Sequence, residues 1–312
     1  MKSIICSLLL LGLFISCSDD SPQPMHNYTY LYWTSIRNQQ ISRATFLNDQ
    51  LLESKVLYNS NKGLISPSGL TVDPTNQWLY WTDYDARQVL RAHIDGGTNP
   101  EILYTAPRPG TGPLDIVRQA YTHRLYWTRP YDNLILTAPE DGSGPVDTLM
   151  SSAQGLHGAW GIFMEVSEEY IYWIEYQDNE LWRLKVGGTA APELLYAGGS
   201  GFLNPYAVAI YEATGELFIV DNALPGAFYG DRILKGSIDG KRPLEILYDA
   251  ADGVNNAYDL AIDQQTGDLY WLNQLDNGSI YKGHVLGTPG EEVIKGIAQG
   301  QALEVIHVMQ NL

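Results

Sequence analysis

The sequence predicts an all-β fold, a six-bladed β-propeller with four-stranded blades whose ring is closed by the C-terminal strand joining blade one. Three observations predict it. An aromatic string recurs at a nearly constant period, each unit repeats one internal order of strands and turns, and the last unit is followed by a surplus strand. Repeats of this length mark stacked or radial architectures.

The string appears as Leu31-Tyr32-Trp33-Thr34, Leu79-Tyr80-Trp81-Thr82-Asp83 and Leu125-Tyr126-Trp127-Thr128. It returns as Ile171-Tyr172-Trp173-Ile174, Leu217-Phe218-Ile219-Val220-Asp221 and Leu269-Tyr270-Trp271-Leu272. Its second residues stand at 32, 80, 126, 172, 218 and 270, so the steps are 48, 46, 46, 46 and 52. Such a step accommodates four short strands and their turns. Within a unit, an apolar strand such as Gly69-Leu70-Thr71-Val72-Asp73 leads through Pro74-Thr75-Asn76 into the aromatic strand. A third strand, Val89 to Ile94, ends in the turn Asp95-Gly96, echoed by Asp239-Gly240; such turns favour residues that tolerate positive φ. A fourth strand follows, as in Ile102-Leu103-Tyr104, Leu194-Leu195-Tyr196 and Ile246-Leu247-Tyr248. The aromatic strands do not alternate apolar with polar, as expected of sheets covered on both faces. The first unit lacks an inner strand, and Ala302-Leu303-Glu304-Val305-Ile306 supplies one from the far end. First and last segments then share a sheet, which removes the open ends of a linear array.

Residues 1–16 read as a lipoprotein signal peptide, 17–27 as a lipidated cysteine and flexible tether, and 28–312 as the propeller. Lys2 precedes an apolar run from Ile4 to Ile15, too short to span a bilayer as a stable helix. Phe14-Ile15-Ser16-Cys17 resembles a bacterial lipobox. The resemblance implies cleavage before Cys17 and its acylation. Asp19-Asp20 resembles the surface-export signals of some Gram-negative lipoproteins, so the expected location is the bacterial outer membrane, with both the periplasmic and the outward side left open. The cysteines are Cys6 and Cys17, which leaves the propeller without a disulfide. A net charge of −17 disfavours nucleic acid and bare anionic bilayers as partners.

The aromatic strings resemble the YWTD (class B) repeats of the low-density lipoprotein receptor family, which form six-bladed propellers. The resemblance covers residues 28–312, with the full Tyr-Trp-Thr-Asp string in blade two alone and Phe218-Ile219-Val220-Asp221 in blade five. The flanking cysteine-rich modules of the receptors are absent. Fold carries over from such a likeness more readily than function.

Loops entering the inner strands and leaving the aromatic strands open on one face, the top, where propellers commonly bind. The residues assigned to the tops of the inner strands are Ser68, Leu114, Trp160, Tyr206, Tyr258 and Leu303, followed by Gly69, Asp115, Gly161, Ala207, Asp259 and Glu304. Trp160, Tyr206 and Tyr258 form an aromatic arc suited to stacking on a sugar or a peptide ring. Asp115, Asp259 and Glu304 place carboxylates around the channel, as acceptors for hydroxyls or a cation. An insertion, Asn222 to Asp231, carries Leu224, Phe228 and Tyr229 and rises beside Tyr206. These eight residues, Trp160, Tyr206, Tyr258, Phe228, Tyr229, Asp115, Asp259 and Glu304, are the candidate ligand site.

The resemblance to propellers extends to gluconolactonase-type metalloenzymes, which place Glu, Asn and Asp at inner-strand tops around a divalent ion. Here those positions hold Leu114, Trp160, Tyr206, Tyr258 and Leu303. His-Glu-x-x-His, Gly-x-Ser-x-Gly and phosphate-loop signatures are also missing. The expectation is a monomeric binding module for a carbohydrate or a peptide or protein ligand, with no cofactor, metal or nucleic acid. The alternative is a metal-dependent hydrolase or lactonase using Asp115, Asp259 and Glu304.

Overall fold

A computed structural model describes residues 25–107, 111–222, 230–275 and 277–311. These form six four-stranded antiparallel sheets. Inner strands of blades two to six are Pro67–Asp73, Ile116–Gln119, Ala159–Met164, Pro205–Tyr211 and Ala257–Ile262. Blade one takes its inner strand, Gly300–Asn311, from the C-terminal end and pairs it with Met25–Ser35. Closure is therefore as the sequence predicts. The pairing begins at Met25, three residues ahead of the expected propeller boundary.

The aromatic string fills the wedges between blades. Tyr32, Trp33, Tyr80, Trp81, Tyr172, Trp173 and Trp271 are almost wholly buried. Each wedge widens outward, and large rings are suited to filling it. Tyr58, from the fourth strand of blade one, stacks on Trp81 of blade two with centroids 5.6 Å apart. Tyr104 stacks on Trp127 at 5.6 Å, and Tyr248 packs at a tilt of 31° on Trp271 at 5.0 Å. The phenols of Tyr58, Tyr104 and Tyr248 then donate to the carbonyls of His93, Pro139 and His284 on the next blade, at 2.6 to 2.7 Å. One side chain thus packs a wedge and pins two blades.

The threonine of the string has its own task. The Thr82 hydroxyl accepts from Gly69 N at 2.9 Å and donates to the Leu114 carbonyl at 2.6 Å. It ties its own inner strand to that of the next blade. Thr34 links Ala302 N to the Ser68 carbonyl, and Thr128 links Asp115 N to the Trp160 carbonyl. Blades four to six carry Ile174, Val220 and Leu272 there and use other links. Asn222 Nδ2 donates to the Ala257 carbonyl at 2.6 Å, and Gln274 Nε2 to the Gly300 carbonyl at 2.7 Å. Between blades four and five the strands simply approach. A Cβ on Gly161 would lie 2.3 Å from the Tyr206 carbonyl oxygen.

The acid of the string anchors the loop into its own inner strand. Asp83 accepts from Ile65 N and Ser66 N at 2.8 and 2.9 Å. Asp221 does the same for Leu203 N and Asn204 N. At the bottom, Gly96 and Gly240 of the Asp-Gly turns adopt φ of 83° and 67°, as the sequence implies.

One expectation needs correction. Leu303 pairs with Trp33 and Glu304 with Tyr32, whereas Leu70 pairs with Trp81 and Thr71 with Tyr80. Leu303 is therefore level with Leu70, and Gln301 occupies the blade-one position equivalent to Ser68. Glu304 lies two residues deeper in the channel than Asp115 and Asp259. The inner strands of blades one and two carry the same bulge, between Gly300 and Leu303 and between Pro67 and Leu70. The offset arises because the C-terminal strand has no aromatic strand after it in the sequence to fix its register.

Candidate functional site at the top face

Trp160, Tyr206 and Tyr258 come together at the mouth of the channel. Trp160 meets Tyr206 edge-on with centroids 6.3 Å apart, and Tyr206 lies 4.9 Å from Tyr258. The indole N–H of Trp160 donates to the Tyr258 hydroxyl at 3.2 Å across the mouth. With Ser68, Leu114 and Gln301 the three rings enclose a void of about 20 Å³. That is room for roughly one water, so the rings form a floor rather than a deep pocket.

The sequence reading missed three members of the cluster. Tyr176 lies 4.9 Å from Trp160 and 5.5 Å from Tyr206. Tyr131 meets Trp160 at 6.3 Å and Tyr84 at 6.3 Å. All three stand just beyond the aromatic strands, on top-face loops. A register signal existed, because Tyr84 and Tyr176 each fall four residues after the motif tyrosines Tyr80 and Tyr172. The Tyr131 ring is 66% exposed, while Trp160, Tyr176, Tyr206 and Tyr258 are half-buried. Burial pushes the Tyr206 phenol up to about 12, and burial also raises Tyr258 and Tyr84. The phenols stay neutral at physiological pH and can both donate and accept.

Below this floor the channel holds a cavity of about 90 Å³ lined by Asp115, Asp259 and Glu304 among apolar neighbours such as Phe163, Leu260 and Leu303. Asp115 accepts from its neighbour Ile116 N and, across the blade boundary, from Ile162 N, both at 2.8 Å. Asp259 accepts from Leu260 N at 2.8 Å and from Leu303 N of blade one at 2.7 Å. The aspartates are clamps between inner strands. The Glu304 carboxyl is pushed up to about 8 by burial and by the charge of Asp115. Burial raises Asp115, and burial with the charges of Asp115 and Glu304 raises Asp259. Among the described residues, no group of three His, Cys, Asp or Glu side chains is placed to hold a metal ion.

Phe228 and Tyr229, with Leu224, lie outside the described residues, as does Cys17. The base of the insertion is tied to blade six, where the Asp231 carboxylate accepts from Asn256 N at 2.5 Å.

No protein-family model matches the chain. Among curated proteins it is similar to low-density lipoprotein receptor-related protein 5 of Mus musculus, 29% identical over 180 residues, which are 56% of this chain and 10% of that protein. It is also similar to nidogen-2 of Mus musculus, 35% identical over 75 residues, or 24% of this chain and 5% of that one. The chain thus spans a small part of these relatives. Among solved structures it is similar to a chain of a nidogen/laminin complex, with a TM-score of 0.72 at 16% identity, covering 90% of this chain and 98% of that one. A gluconolactonase from Xanthomonas campestris shares the fold with a TM-score of 0.58 at 15% identity, covering 78% of each chain. Strand topology and these likenesses make the chain a six-bladed β-propeller, and its repeats are similar to the YWTD (class B) repeats of the low-density lipoprotein receptor family.

Proposed function

We propose that this chain is a lipid-anchored protein of the bacterial outer membrane whose propeller recognises a glycan or a peptide or protein ligand on its top face. The observation that carries the reading is the unbroken path of rings from Tyr84 through Tyr131, Trp160, Tyr176 and Tyr206 to Tyr258. Tyrosine and tryptophan offer large contact areas with little side-chain entropy to lose, and they dominate recognition surfaces. Phe228 and Tyr229 would extend the surface, and Asp115, Asp259 and Glu304 would favour hydroxyl-rich or cationic ligands over anionic ones. The nidogen/laminin neighbour supports a protein ligand in one respect, since that propeller was solved in a complex with a protein.

The purified propeller would be screened against glycan and peptide arrays, and hits compared with Tyr131→Ala and Trp160→Ala. Tyr131→Ala is expected to cost about 2 kcal/mol in binding, roughly thirtyfold in affinity, with little change in Tm because its ring is exposed. Unaltered binding by both variants would remove the top face from consideration. Lactone hydrolysis with added calcium or zinc that disappears in Asp259→Asn would replace the reading with the hydrolase alternative. For the anchor, Cys17→Ser is expected to move the protein from the membrane fraction to the soluble fraction. A mature N-terminus found elsewhere, without lipid, would refute the anchoring.

A further inference from the structure

The chain enters the propeller on the side opposite the ring cluster. Met25 pairs with Asn311, and the Asn27 carbonyl accepts at 3.0 Å from Asn48 N, in the turn between strands Gln40–Leu47 and Gln50–Tyr58. That turn is the blade-one counterpart of the Asp-Gly turns at the bottom. Eight residue steps separate Met25 from Cys17, a reach of at most about 29 Å for any chain. Climbing one blade would use most of it, since a six-residue strand is itself about 20 Å long. A lipid on Cys17 would therefore hold the bottom rim at the bilayer.

The bottom face carries apolar tips. Among the described residues, Tyr121 and Leu286 are the most exposed large apolar side chains, at 88% and 76%. Tyr121 sits in the turn between the inner and aromatic strands of blade three, and Leu286 in the turn that follows strand Ser279–His284 of blade six. Val166, in the blade-four turn corresponding to that of Tyr121, is 63% exposed, and Met309, at the foot of the blade-one inner strand, is 53% exposed. Leu286 replaces the aspartate of the Asp-Gly turns, which is Asp95, Asp141 and Asp239 in blades two, three and five. Tyr121 stands where blades two, four, five and six have Thr75, Ser167, Ala213 and Gln265. Two of the tips are also braced from the next blade. The Glu168 carboxylate accepts from Ala120 N and Tyr121 N at 2.9 and 2.7 Å, and the Glu212 carboxylate accepts from Val166 N and Ser167 N. These backbone donors are satisfied within the protein before their tips leave water.

The four tips belong to blades one, three, four and six, so they are spread round the ring. A protein partner is recognised through a contiguous apolar core, whereas separate points on one face of a disc match a plane. Single apolar and tyrosine side chains suit the boundary between headgroups and acyl chains. On the reading that Cys17 carries lipid, we propose that the bottom face lies on an electrically neutral phospholipid surface. Tyr121, Val166, Leu286 and Met309 dip into the headgroup boundary, and the ring cluster is presented away from the membrane. The net charge of −17 selects neutral over anionic lipid.

The test leaves all four tips native. Single cysteines are placed on bottom turns by Ala213→Cys and Gln265→Cys and on top loops by Arg37→Cys and Asn61→Cys, all at exposed positions. Each is labelled with an environment-sensitive fluorophore in the full-length lipoprotein on phosphatidylcholine vesicles. Lipid carrying a nitroxide on its acyl chain is expected to quench the bottom labels at least about threefold more than the top labels, and aqueous iodide to do the reverse. Tyr121→Ser combined with Leu286→Asp is expected to lower the lipid quenching of the bottom labels at least about threefold, with Tm unchanged because both side chains are exposed. The same four labels are read in chains whose residues 1–17 are replaced by a hexahistidine tag bound to nickel-chelating lipid. Absence of lipid on Cys17 would refute the anchor, and the tagged chains would then decide the bottom face by themselves. The proposal is overturned if top and bottom labels are quenched alike, or if the double variant quenches as the parent does. It is also overturned if the bottom labels stay as open to iodide as the top ones, which would leave that face to a protein partner.

Discussion

Glu304 is a carboxyl with no hydrogen-bond partner among the described residues, held in the channel beside the aspartate clamps. Its pKa in the fold is about 8, above the ordinary value of 4.5, through burial first and Asp115 second. The unfolded chain therefore releases this proton at a lower pH than the folded chain does. Stability is undiminished below the unfolded pKa, falls as pH rises between the two values, and levels off above about 8. Asp259, also raised, acts in the same direction. Glu304→Gln removes the ionisation and keeps the size. It is expected to raise Tm at pH 8 to 9, to leave it nearly unchanged at pH 4, and to flatten the profile between. Parallel profiles for both proteins would refute a raised Glu304. At this scale the sequence identified the carboxylates and the aromatic arc, because each side chain carries its chemistry in its name. It misplaced Glu304 because the C-terminal strand has no aromatic strand after it to fix its register, and it missed Tyr131 because that loop residue falls out of step with Tyr84 and Tyr176, whose shared spacing from the motif tyrosines was legible.

Blades were legible as elements because the string that marks them is also what joins them. Tyrosine and tryptophan fill the wedge, threonine bridges two inner strands, and the acid holds the entry loop. The large wedge-filling pair recurs in every blade and keeps the six copies in phase, while the threonine bridge is confined to blades one to three. The threonine is the clearest to isolate. Thr82 is fully buried, and Thr82→Val would leave Gly69 N and the Leu114 carbonyl without this partner at almost constant volume. A loss of about 1–3 kcal/mol is expected in urea unfolding, with an unchanged slope. Ile174→Val, at the equivalent place in blade four, forms no such bridge and should cost only about 0.5–1.5 kcal/mol through lost packing. If Thr82→Val were neutral, the hydroxyl would be an incidental feature of the string.

At the scale of the molecule, stability comes from closing a ring without a disulfide in the propeller. Apart from the Trp160–Tyr258 hydrogen bond across the channel mouth, the blades pack against their neighbours, so the junction of first and last segments must hold as well as every other junction. Gly300–Asn311 completes blade one along the whole length of Met25–Ser35 and sends Leu303 into the core shared with blade six and Ala302 into the core shared with blade two. Deleting residues 301–312 would expose the backbone edge of Met25–Ser35 and uncover Tyr32 and Trp33. Burial of such side chains is worth about 1.5–3 kcal/mol each, so losing several rivals the total stability of a domain. The truncated chain is expected to aggregate, or to melt far below the wild type in a broadened transition, because an open edge is also a template for intermolecular pairing. A synthetic peptide spanning 299–312, added during refolding, is expected to restore a sharp transition by re-forming the same ladder. A truncated chain that melts as cooperatively and as high as the parent, with no response to the peptide, would show that the ring does not need its last strand.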